Sequence, residues 1–83
     1  MEIEKDSELI LLTEMKVKGK GIIKEINGGI SVQKKLESLG LRIGKKITKV
    51  SSQIFKGPVV LEIDGNQLAL GYGLAEKIKI QLL

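Results

Sequence analysis

Apolar positions along this chain fall into short runs. Their period switches between two and roughly three and a half, with glycines at most of the changeovers. Leu9 to Met15 enters first, and the three-residue spacing of Leu12 and Met15 puts both side chains on one helical turn. Gly19 and Gly21 flank the start of a strand through Ile22, Ile23 and Ile26. The Ile23/Ile26 interval breaks the two-residue period, so a bulge or an early strand end is expected there. Asn27-Gly28-Gly29 is a turn signal. Ser31 then stands where it can cap a short helix with Val32, Leu36 and Leu39 on its apolar face, and Gly40 takes the place of a left-handed C-terminal cap.

The remainder reads as β-structure. Lys45 to Val50 alternates, with Ile47 and Val50 expected nearest the core and every lysine at a polar phase of its segment or in a loop. Val59, Leu61 and Ile63 alternate with Val60 and Glu62; Asp64-Gly65-Asn66 predicts a hairpin, and Leu68 and Leu70 continue on the returning strand. Gly71-Tyr72-Gly73 ends that strand, and Leu74 to Lys77 is read as a single turn. Ile78, Ile80 and Leu82 alternate with Lys79 and Gln81 in a last strand. Five short strands with one helix inserted after the first predict a mostly β, closed or nearly closed small barrel.

Composition narrows this further. At 83 residues the chain has room for one domain, read as 1–83 with residues 1–8 an acidic N-terminal extension. A domain of this size buries only about 60% of the surface its unfolded chain exposes. There is no cysteine to add disulfides, and without cysteine or histidine the usual zinc ligand sets are missing. The apolar runs are far too short to cross a bilayer, and Glu2, Glu4, Asp6 and Glu8 are the opposite of a basic secretory start. A cytoplasmic protein with no membrane insertion is therefore expected. Net charge is +4. Residues 1–8 hold four of the ten acids and one of the fourteen bases, which leaves the rest of the chain with 13 bases against 6 acids. That excess favours an anionic partner, although lysines also keep small β proteins soluble and guard their strand edges.

No catalytic constellation assembles. The serines have no histidine to activate them and there is no thiol. Glu62 and Asp64 share one strand face beside a turn, the usual setting of solvated carboxylates. The glycines match neither phosphate-binding fingerprint: Gly40 to Gly44 lacks the Lys-Ser/Thr ending, and Gly71-Tyr72-Gly73 has only its first two positions. Binding to nucleic acid through a small barrel needs stacking aromatics, yet only Phe55 and Tyr72 are present, with a single arginine, Arg42. No nucleic acid partner is expected. What is left is a binding protein, not an enzyme.

The ordered signals from Leu12 to Leu83 resemble the FeoA family. The matching pieces are Leu12-Thr13-Glu14-Met15 with Gly19, then Gly21 to Ile26, Lys35 to Gly44, Gly57-Pro58-Val59-Val60, and Leu68 to Ile78. Their order and spacing carry the resemblance rather than any one piece. It implies an SH3-like five-stranded barrel. It also implies an accessory role in ferrous iron uptake, with the cytosolic region of a FeoB-type membrane transporter as partner. Ile43 stands where the family pattern often has proline, and Tyr72 where a basic residue is common. Similar domains end metal-dependent repressors, so a regulatory module of that type is one alternative and a small RNA-binding barrel another.

Within this frame no catalytic residue, cofactor or resident metal site is expected, because Fe²⁺ sites normally draw on imidazole or thiolate as well as carboxylate. Partner-binding residues are sought in the loop after Ser51-Ser52-Gln53, where Ile54 and Phe55 precede Lys56-Gly57-Pro58. Two large apolar side chains in a proline-stiffened loop are candidates for a binding hot spot, and Tyr72 extends the patch if the fold brings the two loops together.

Overall fold

Side-chain alternation and turn chemistry together lay out a single antiparallel sheet wrapped around one core. The computed structural model describes residues 8–52 and 56–83. Among these, the strands are β1 (Ile10–Leu11), β2 (Lys20–Ile26), β3 (Lys46–Ser52), β4 (Val59–Ile63), β5 (Asn66–Leu70) and β6 (Ile78–Leu82). A short 3-10 turn, Leu12–Glu14, precedes β2; helix α1 (Ile30–Ser38) follows it, and the one-turn helix α2 (Tyr72–Ala75) separates β5 from β6. The sheet order is β1-β6-β2-β3-β4-β5, all antiparallel, and no ladder joins β5 back to β1. The mostly β class with one principal helix holds, but that helix follows the second strand, β2, rather than the first. The strand number is one higher than expected, because the two residues before the 3-10 turn also pair, Ile10 opposite Ile80 and Leu11 opposite Lys79.

Local expectations hold at several points. The register between β2 and β6 shifts between Ile23 and Glu25, where the apolar period breaks. Asp64 (φ 53°) and Gly65 (φ 81°) both take positive φ, the conformation a two-residue hairpin requires when it joins strands of right-handed twist. Leu12 and Met15 are both buried, and Glu14 Oε1 turns back to accept the Leu11 N–H at 3.1 Å. Gly40 has φ 89°, with its N–H donated to Glu37 O at 2.9 Å.

Three expectations are corrected. Ser31 does not cap α1: Gly29 is the N-cap, its carbonyl accepting from Val32 and Gln33 at 3.1 Å, because the positive φ of Gly28 turns the chain into the helix before the serine is reached. The single turn starts at Tyr72 rather than Leu74, and the Lys77 N–H to Leu74 O bond of 3.0 Å closes it. On β3 the inward partner of Ile47 is Lys49, which is 2% exposed, while Val50 is half-buried. Strict alternation from Ile47 leads to position 49, and the register shift between Lys49 and Ser51 puts Val50 out of phase.

The core consists of Leu12, Met15, Ile23, Leu36, Leu41, Ile47, Val59, Leu61, Ile63, Leu70, Ala75, Ile78 and Ile80. Lys49 enters it as a cap. Its Nζ donates to the carbonyl oxygens of Leu12 (3.2 Å), Thr13 (3.2 Å) and Met15 (2.6 Å), in and just after the 3-10 turn. Burial pushes the Lys49 ammonium below the ordinary lysine range.

Candidate functional site

Tyr72 is placed by the end of β5. Gly71 leaves the strand in an extended conformation (φ −58°, ψ 151°), and its carbonyl then accepts from Leu74 at 3.1 Å and Ala75 at 2.9 Å, closing one helical turn. The fully buried Ala75 and the half-buried Leu74 pin this turn to the core, so Tyr72 sits half-buried at its start. The loop from β3 to β4 reaches the same place. Lys56, held at φ 64°, carries its ammonium 5.9 Å from the centre of the Tyr72 ring. Such a contact is worth about 0.5–1 kcal/mol at an exposed site, enough to bias the loop towards the ring. The fold thus brings Lys56, at the end of that loop, to Tyr72. Ile54 and Phe55 lie outside the described residues.

A second surface escapes the sequence argument. Ile10, Glu14, Lys16, Gly19, Lys20, Leu82 and Leu83 line a cleft of about 440 Å³. Leu82 is in phase with Ile78 and Ile80 and reads as core, yet it is 51% exposed, and Leu83 is 69% exposed. Strand β1 begins at Ile10, opposite Ile80, so its ladder does not reach as far along β6 as Leu82. The exposed C-terminal Leu-Leu pair was the only signal available for this surface.

The charged outer face offers no one-sign site. Lys20, Lys46 and Thr48 stand beside Glu62 and Asp64, and Lys45 Nζ pairs with Asp64 Oδ2 at 2.8 Å. Lys79 faces Glu25 at 3.9 Å. Interleaved charges of this kind cancel locally and do not focus an anion. Among the described residues no three acidic side chains come together as a metal ligand set, and no helix is long and apolar enough to cross a membrane. Arg42 is exposed in the turn after α1.

This geometry can be set beside known proteins. The family model described as the FeoA domain matches residues 10–82. The chain is 37% identical over 60 residues to a putative Fe(2+) transport protein A of Methanocaldococcus jannaschii, covering 72% of this chain and 71% of that one. The crystal structure of an iron uptake regulatory protein, FeoA, superimposes with a TM-score of 0.85 at 34% identity, over 92% of this chain and 100% of the other. The apo form of the manganese-activated repressor ScaR superimposes at 0.81 and 28% identity over 98% of this chain, which spans only 38% of the repressor.

Proposed function

The chain belongs to the FeoA family, and from that membership we propose that it is a cytosolic accessory protein of ferrous iron uptake that docks on the cytosolic region of a FeoB-type transporter. The observation that carries this reading is the family match across residues 10–82, joined by 37% identity to a protein named putative Fe(2+) transport protein A. On this reading the protein acts by binding, and the sequence has no histidine or cysteine to serve as base or thiol nucleophile.

The docking surface is the junction where Lys56 meets Tyr72, together with Ile54 and Phe55 of the same loop. A half-buried aromatic beside a proline-stiffened loop offers apolar area at low entropic cost, the composition of a hot spot. The likeness to ScaR is one of fold and places a similar domain within a repressor, whereas the relative named for Fe(2+) transport supports a role in transport.

Biolayer interferometry against the transporter's purified cytosolic region tests this directly. Phe55→Asp and Tyr72→Ala are each expected to weaken binding about tenfold or more, the loss typical of an interface hot spot. The melting temperature of Phe55→Asp is expected to stay near that of the parent. Unchanged affinity in the folded variants, or a collapse in the melting temperature of Phe55→Asp, rules the surface out.

A further inference from the structure

Among the described residues, strand β5 combines an open edge with a complete lack of charge. Charged residues make up 29% of the chain, yet residues 65–75 contain none. Natural sheets usually protect an edge with lysine, proline, a bulge or shortness. Among the described residues the opposite edge, β1, is two residues long. By contrast β5 has five, carries neither lysine nor proline, and pairs with β4 without a register shift.

The hairpin dictates which backbone groups face outward. A two-residue turn at Asp64 and Gly65 makes Ile63 and Asn66 a hydrogen-bonded pair, and pairs alternate from there. Asn66, Leu68 and Leu70 therefore bond inward to β4. Gln67 and Ala69, opposite Glu62 and Val60, turn their N–H and C=O groups to the free edge. These four groups have no backbone partner among the described residues. Leu68 between them packs against the core but is only half-buried, whereas Leu70 is 1% exposed.

We propose that β5 pairs antiparallel with β5 of a second copy of this chain, about a two-fold axis through Leu68. Gln67 then lies opposite Ala69 of the partner subunit, and Ala69 opposite Gln67 of the partner subunit. The two pairs exchange four N–H···O=C bonds, so every outward group of both strands is satisfied. Leu68 meets its own copy in the closely spaced non-hydrogen-bonded position, which covers the part left open in the monomer. A second copy is the occupant because the edge is self-complementary, its two outward residues standing symmetrically about Leu68. The protein carries a net +4, so its lysine-bearing faces repel one another, and the uncharged edge is where two copies approach with no like charges opposed.

Sedimentation velocity from low micromolar to millimolar concentration reads the association, with two double variants as the decisive comparison. Gln67→Lys with Ala69→Lys places lysine opposite lysine across the two-fold axis; Gln67→Lys with Ala69→Glu places lysine opposite glutamate. Both change only exposed side chains on the outer face and share the lysine beside Glu62, so thermal melts are expected to stay close. The like-charged pair is expected to raise the dimer dissociation constant about tenfold relative to the parent, and the complementary pair to leave it unchanged or lower. A parent protein that stays monomeric at every concentration overturns the proposal. So does equal dissociation by the two variants, which would mean that another surface, or a strand of another protein, uses the edge. Neither residue belongs to the transporter-docking surface proposed above, so transporter binding and self-association fail independently.

Discussion

Replacing Lys49 with methionine removes the cap that ties the segment before β2 to the sheet. Methionine keeps most of the volume and the apolar stem, so the change isolates the ammonium. Three main-chain carbonyls lose a donor. Leu12 O keeps the Met15 N–H at 3.2 Å, whereas among the described residues no other backbone donor reaches Thr13 O or Met15 O. Stranding a buried acceptor costs about 1–3 kcal/mol, with the half-buried Thr13 near the low end and the buried Met15 near the high end. A compensating effect runs the other way, because exchanging a buried charge for an apolar side chain relieves its desolvation. That relief dominates when both partners of an ion pair are replaced together. Here the acceptors belong to the backbone and remain, so the loss wins. The net destabilisation is about 2–3 kcal/mol, a fall in melting temperature of roughly 10–20 °C for a domain of this size. Urea titration followed by circular dichroism measures it. A loss below about 0.5 kcal/mol, the range of an ordinary surface substitution, or any gain in stability refutes the cap.

The remaining predictions concern charge, packing and the lone arginine. Since burial lowers the pKa of Lys49 from 10.5, the unfolded chain binds more protons than the folded one between the two values, and stability rises with pH across that window. Subtracting the urea-derived stability of Lys49→Met at each pH cancels the other lysines, and the difference is expected to grow in favour of the parent as pH approaches 10.5; a falling difference contradicts the sign. Gly21 lies where β2 and β6 approach closely, and a methyl group there meets the Ile80 side chain and Gln81 O at 2.8 Å. Gly21→Ala is accordingly expected to cost about 1–3 kcal/mol in thermal melts, and a neutral result would show that the strands part freely. Should the partner hydrolyse GTP, Arg42→Ala is expected to leave any stimulation of that hydrolysis intact, and its loss with binding preserved would identify an arginine finger.

Much of this protein follows from local rules, because a hairpin, a C-cap and a one-turn apolar pair are decided by neighbours in the chain. Asp64-Gly65 tolerates positive φ and so makes the tight hairpin; Gly40 ends α1 for the same reason; Leu12 and Met15 share a turn whatever lies beyond. Order and spacing of such signals were also enough to reach the family. What the chain could not show locally were the partners brought by distant segments. Lys49 is polar and reads as surface, yet it is inside because carbonyls 34 to 37 positions earlier converge on its ammonium. Leu82 is apolar and in phase with the core, yet it is half exposed because the β1 ladder begins only at Ile10, opposite Ile80, and does not cover it. The meeting of Lys56 with Tyr72, sixteen positions apart, is likewise something only the folded sheet provides. Periodicity assigns a side chain to one face of its own strand. What covers that face is set by the crossing of other strands, and that is a tertiary fact.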